Sequence, residues 1–242
     1  MDLSRFSRNI LLNEIDVSGQ ERICQASILC IGCGGLANHI LPILASSGIK
    51  TLGIVDFDIV SVSNLPRQVI FREQDIGRKK VDCMKEFLLE RNLGCKIHTS
   101  YERGEDIVHK IASDYDIIID LTDSLQSRLN SNKISLAEKK PFFTGSAQGF
   151  VGQVYSFANH LANFPCYACL FGDVNESEVL TCQNAGVFPP IVEIIGGFIA
   201  SNILKYLSDI ELDFTEFLLF DLLKNNRKIN FLKDNQCNQH KA

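Results

Sequence analysis

Gly32-Cys33-Gly34-Gly35-Leu36-Ala37 is a stretch that can receive phosphate. It follows the short apolar run Ser27–Ile31 and opens a helix-like segment. In that context glycines let the backbone approach phosphate oxygens, and the helix N-terminus supplies N–H donors and a positive dipole. Alone, the pattern serves NAD, FAD or ATP, and a tight strand–helix turn without a ligand reads the same way. Asp56 narrows the choice. It stands about 20 residues past the glycines, where a carboxylate accepts hydrogen bonds from ribose hydroxyls. The chain continues Asp56-Phe57-Asp58 and then Ser63-Asn64-Leu65-Pro66-Arg67-Gln68. A hydride-transfer site has no need of this arginine-bearing run, whereas a polar, cationic segment near phosphates suits phosphoryl or adenylyl chemistry. Lys80 opens the next helix, and both it and Lys79 read equally well as solvated surface lysines. Asp120-Leu121-Thr122-Asp123 ends a later strand, at the edge where ligands bind in an open α/β sheet. Asp123 there can hold Mg²⁺ bridging a triphosphate, or it can cap the helix 124–138, a role equally open to Ser124.

These groups need a frame. Apolar runs at 27–31, 51–55, 95–100, 115–120 and 141–145 read as strands, with helix-like segments between them. One of these is 79–91, with Val81, Met84, Phe87 and Leu88 on one face. Strands alternating with helices imply βαβ units and a mostly parallel sheet. After Gly149 the texture changes. Residues 150–157 alternate like a strand, a loop rich in Pro, Cys, Gly and Asn follows, and 190–207 is a long apolar helix. The runs 217–221 and 227–231 form a closing strand pair. The tail from Asp234 is polar and needs something to tie it down.

Taken together, the blocks RFSR, GCGGLA, VDFDIVSVSNLPRQ, GRKK, LTDSLQSR, CYAC and LTCQNAGV stand in the order and spacing of a known family. The chain resembles, from Arg5 to His240, the bacterial ThiF/MoeB/HesA adenylyltransferases, relatives of ubiquitin-activating enzymes. The resemblance implies a Rossmann-like α/β fold in a single domain over 1–242 with an N-terminal helical arm at 1–25. It implies that Gly32, Gly34 and Gly35 approach the ATP phosphates and that Asp56 holds the ribose. Asn64, Arg67 and Lys80 would contact the phosphates, and Asp123 would help bind Mg²⁺. Arg8 would reach across a homodimer into the neighbouring ATP site; without the resemblance it reads as a surface arginine on a short first helix. The implied reaction is adenylation of the C-terminal carboxylate of a small ubiquitin-like sulfur carrier ending in Gly-Gly, of the thiamine or molybdopterin type. A separate protein would then donate the sulfur. Adenylation of another peptide or of tRNA, an NAD-dependent oxidoreductase and a non-catalytic dimeric scaffold are the competing readings.

The family's zinc site is altered here. Cys166 and Cys169 form one C-x-x-C, but the second half reads Cys237-Asn238-Gln239-His240. Three cysteines and a histidine suit tetrahedral structural Zn²⁺, which would clip the tail to the loop at 166–169. A redox pair of Cys166 with Cys169, or a site that has lost its metal, are the alternatives. Cys182 stands where some members carry a thiol that links to the activated carrier; an inert loop thiol is the other reading. Cys24, Cys30, Cys33, Cys83 and Cys95 fall in apolar contexts and read as small buried hydrophobes. Pro42, inside the expected phosphate helix, should kink it, and Pro66 stiffens the approach to Arg67.

The bulk numbers fit this reading. Of 242 residues 45% are hydrophobic and 22% charged, with a net charge of −5. Scattered basic residues and a negative balance argue against nucleic acid as a partner. The beginning of the sequence shows no export-signal pattern, and nine cysteines without one favour reduced thiols or metal ligation in the cytoplasm. The most apolar stretch, 186–207, is interrupted by Pro189, Pro190, Glu193 and Lys205, and so reads as a buried helix rather than a membrane span.

Overall fold

The computed structural model describes residues 4–91, 94–174 and 186–241. Two helices lead in, α1 (Ser7–Ile10) and α2 (Asp16–Gln25). Three βα units follow: β1 (Ser27–Ile31) with α3 (Gly35–Ser46), β2 (Thr51–Val55) with α4 (Lys80–Glu90), and β3 (Lys96–Ser100) with α5 (Gly104–Ile111). Next come β4 (Ile117–Asp120), α6 (Leu125–Ala137), the adjacent strands β5 (Phe142–Gln148) and β6 (Val151–Phe157), and the short α7 (Tyr167–Phe171). The long α8 (Pro189–Leu207) precedes β7 (Glu216–Asp221) and β8 (Arg227–Asn230).

Among the described residues the strands form an eight-stranded sheet in the order β3-β2-β1-β4-β5-β6-β7-β8. β3 through β5 run parallel, and β6, β7 and β8 are added antiparallel. β1 and β4 are buried over nearly their whole length, as strands covered on both faces must be. Side chains on β1 alternate between two cores. Ile28 and Cys30 join α3, α4 and α8 on one face, whereas Leu29 and Ile31 join α5, α6 and α7 on the other. The chain leaves β1 toward β2 on one side and returns at β4 on the other. That reversal opens a crevice at the carboxyl ends of the strands.

The sequence-derived strands and helices are all present, with boundaries shifted by up to three residues. Tyr115 is not in β4: it sits in the turn after Ala112–Asp114, and its ring fills the space beside Gly53, where any β-carbon would overlap it. α3 runs through Pro42, which cannot donate to the Asn38 carbonyl. α8 is long and apolar enough to cross a membrane, but its Ile191, Ile195, Ile199 and Ile203 pack into the core against α3, β5 and β6.

α8 packs tightly on the sheet at Gly152 in β6, where a β-carbon would overlap the Ile195 side chain. Gly152→Ala should therefore destabilise the protein by about 1–3 kcal/mol through overpacking. Gly197→Ala, on the same helix with open space around it, should be neutral or stabilising by up to about 1 kcal/mol. Denaturant unfolding of the two variants checks both signs.

Candidate active site

A cleft of about 490 Å³ occupies the crevice. Gly32, Gly34 and Gly35 form one wall. Gly32 has a φ of 91°, and a β-carbon there would stand 3.0 Å from both the Leu121 carbonyl carbon and the Thr122 nitrogen. Only glycine combines that conformation with that approach. Gly34 caps α3 without a side-chain hydrogen bond to the first-turn amides, which leaves that end of the helix suited to an anion.

Asp56 follows β2 and lines the same cleft. Its Oδ2 accepts from the Cys33 amide and its Oδ1 from the Asp58 amide at 2.6 Å. The carboxylate thus braces the glycine turn and keeps lone pairs for a ribose. Burial raises its pKa above the ordinary carboxylate value, and the two amide hydrogen bonds and Lys80 offset that only partly. Lys80 is 5% exposed, so the solvated reading of this lysine is set aside. Its Nζ lies 2.8 Å from Asp58 Oδ2. Half of the Asp58 side chain is exposed, so the pair contributes little stability, about 0–1 kcal/mol, and mainly holds the ammonium at the cleft. Lys79 is exposed, with its ammonium 4.4 Å over the Tyr101 ring.

Asn64 and Arg67 reach the cleft from the segment after β2. Asn64 Oδ1 accepts from the Ser61 amide at 3.1 Å, and Arg67 Nη1 donates to the Ser63 carbonyl at 2.7 Å. Asp123 is exposed and lines the cleft beyond β4. The cap of α6 is Ser124, whose Oγ accepts from the Ser127 amide at 3.2 Å. Asp123 is therefore not needed as the cap, and its hard oxygen donors fit Mg²⁺. Thus Gly32, Gly34, Gly35, Asp56, Asn64, Arg67, Lys80 and Asp123 come together in one cleft. Arg8 is exposed on α1 and does not line it. Cys182 lies outside the described residues.

Two polar groups went unassigned in the sequence. Asp120 is fully buried and accepts from the hydroxyls of Thr122, Ser127 and Ser131 at 2.6, 3.0 and 2.6 Å. Arg128 lines the cleft and donates to backbone carbonyls. Both stood within quoted motifs, Asp120 at the start of the strand-end run and Arg128 at the end of LTDSLQSR. Their spacing alone did not reveal that they face each other's neighbours. The cleft continues past them along Ser146, Gln148 and Gln153 to the rings of Tyr155, Tyr167 and Phe171.

A second cluster joins α7 to the tail. One ligand atom each from Cys166, Cys169, Cys237 and His240 falls within 4.8 Å of the others. Cys166 Sγ is 3.8 Å from both Cys169 Sγ and Cys237 Sγ, and His240 Nε2 is 3.3 Å from Cys169 Sγ. Tetrahedral thiolates at zinc distances stand roughly 3.8 Å apart, so the donors fit a structural ion. A hydrogen bond from Cys166, with help from His240 and backbone donors, holds the Cys169 thiol well below the usual range and pushes Cys166 up. Cys30, Cys33, Cys83 and Cys95 are buried, as expected for inert thiols, whereas Cys24 is half-buried beside Gln20.

The chain belongs to the ThiF family, whose model matches residues 6–240. It is 36% identical over 222 residues to the sulfur carrier protein ThiS adenylyltransferase of Escherichia coli, covering 91% of this chain and 87% of that protein. It is also 36% identical over 211 residues to the adenylyltransferase and sulfurtransferase MOCS3 of Dictyostelium discoideum, covering 86% of this chain. It spans about half of that relative's length, 49%. The solved structure of E. coli MccB with ATP superimposes with a TM-score of 0.83 at 23% identity, over 97% of this chain and 73% of that one, a likeness of fold.

Elemental analysis of the purified protein should find about one tetrahedrally bound metal ion per chain. A Cys237→Ala/His240→Ala double variant should lose it. Wild-type stoichiometry in that variant would reject the Cys₃His site.

Proposed function

We propose that this chain uses ATP to adenylate the C-terminal glycine carboxylate of a small ubiquitin-like sulfur-carrier protein, in thiamine or molybdopterin biosynthesis. The observation that carries the reading is that one cleft holds a bare helix N-terminus, a ribose-type acid, a buried lysine and a strand-tip carboxylate. The relatives named as adenylyltransferases support it.

The chemistry asks little covalent work of the protein. The carrier's carboxylate is ionised at neutral pH and attacks the α-phosphorus of ATP, so no general base is required. A carboxylate–phosphorus bond forms, the bond to the β-phosphate oxygen breaks, and pyrophosphate leaves with the electron pair. Catalysis is then placement of the two reactants and of positive charge. Asp56 fixes the ribose, Asn64 and Arg67 orient the phosphates, and Lys80 turns from Asp58 toward the charge that develops at the α-phosphate. Asp123 would help hold Mg²⁺, which when bound would supply positive charge to the triphosphate. The part of the cleft lined by Ser146 and Gln153 takes the carrier's extended tail. Zn²⁺ is the ion we assign to the Cys166/Cys169/Cys237/His240 cluster. We further assign a homodimer with Arg8 acting in trans, a sulfur donor on a separate protein, and a cytoplasmic location. Cys182 is a candidate for the carrier-linking thiol.

ATP–pyrophosphate exchange should appear only with a Gly-Gly carrier present. Exchange independent of a carrier, or thermal stabilisation by NAD and not by MgATP, would sink the proposal. Lys80→Met should lower carrier adenylation by about 100- to 1,000-fold, as loss of a preorganised charge in a dry site does. Single-turnover formation of the adenylate measures it.

A further inference from the structure

Thr122, the residue before Asp123, has every polar group engaged. Its amide and hydroxyl donate to Asp120 Oδ1 at 2.9 and 2.6 Å. Its carbonyl accepts from Arg128 Nε at 3.0 Å and also from Arg128 Nη2. The same Nη2 donates to the Gly145 carbonyl in β5 at 3.0 Å. On its other side, the Leu121–Thr122 backbone abuts Gly32.

A guanidinium is costly to place inside a cleft unless it is matched. Among the described residues no carboxylate lies within ion-pair distance of Arg128. The nearby Asp120 spends its oxygens on the Thr122 amide and the hydroxyls of Thr122, Ser127 and Ser131. The guanidinium donates instead to the Thr122 carbonyl just past β4 and to the Gly145 carbonyl within β5, a task that uses its fixed fork and that a lysine could not reproduce.

Tyr167, which lines the cleft with Arg128, stands at the far end of this network. Tyr167 is 2% exposed and lies between Cys166 and Cys169 at the start of α7. Its amide donates to Asn132 Oδ1 at 3.0 Å, and Asn132 Nδ2 donates to Gln239 Oε1 at 2.6 Å, next to His240. α6 thus carries Asn132 against the cysteine-clipped segments, Arg128 against the Thr122 and Gly145 carbonyls, and the Ser124 cap beside Asp123.

We propose that Arg128 is a positioning residue, whose guanidinium sets the Thr122–Asp123 peptide against the glycine turn. This rests on the ATP reading of the cleft. Its consequence is specific to the strand tip: the nucleotide's dependence on Mg²⁺ should move when the fork is lost, because Asp123 is what the fork aims.

Calorimetric titration of the full chain with ATP at a series of Mg²⁺ concentrations tests it. Arg128→Lys should raise the Mg²⁺ concentration for half-maximal ATP binding about ten-fold, the worth of roughly one hydrogen bond to a charged group. The variant should keep the wild-type content of bound structural metal and unfold cooperatively. An unmoved Mg²⁺ midpoint in the folded variant, or an equal loss of ATP affinity at every Mg²⁺ concentration, overturns the role of Arg128. If Arg128→Lys does not fold, Arg128→Gln decides on the same criterion. A wild-type chain that binds no ATP would overturn the proposed function itself, which the variants alone cannot do.

Discussion

Just past the carboxyl ends of the parallel neighbours β1 and β4, two backbones meet with no room for a side chain between them. A β-carbon on Gly32 would press on the Leu121–Thr122 peptide at 3.0 Å, and the positive φ there excludes most other residues as well. The rest of the site hangs from this contact. It sets the glycine turn beside the segment that carries Asp123. The parallel register of β1 with β2 then delivers Asp56 to the opposite flank, where it accepts from the Cys33 amide within the turn. Three strand ends from distant parts of the chain are thereby fixed around one volume before any ligand arrives. A reaction that depends on placing charge needs such preorganisation.

The charged groups around that volume are handled in two ways. Lys80 is buried but leans on a half-exposed carboxylate, an arrangement from which it can turn without leaving an unpaired charge in a dry interior. Asp120 and Arg128 are instead committed to local hydroxyls and carbonyls. The first kind of group is available to a substrate, whereas the second holds the architecture in register. The cysteine cluster extends the same logic to the tail. A polar segment with little apolar surface is tied to α7 by four converging ligand atoms, a substitute for a core that so short a segment cannot build.

Much of this was legible in the sequence because its signals are local. Apolar runs ending in Gly32 or Asp120 announced strands and the ends at which ligands bind. The ordered blocks then tied Asn64, Arg67 and Lys80 to one site, and Cys237 and His240 to the C-x-x-C. The choices left open were those that local pattern cannot make. Lys79 and Lys80 are adjacent and chemically alike, and only the packing of α4 decides which is buried. Asp123 and Ser124 were equal candidates for the cap until the Ser124 hydroxyl was seen on the Ser127 amide. Arg128 escaped notice because it is reached through backbone carbonyls that no motif records, one of them on Gly145 far along the chain.

The central claim is that the glycine turn, Lys80 and the strand-tip acids face a bound triphosphate. A crystal structure of the protein with Mg²⁺ and a non-hydrolysable ATP analogue tests it most directly. The account predicts phosphates against the Gly32–Gly35 backbone, the ribose on Asp56, and the Lys80 ammonium moved from Asp58 to a phosphate oxygen. A nucleotide bound elsewhere, or one in this cleft with Lys80 still on Asp58 and no phosphate at the glycines, would contradict it.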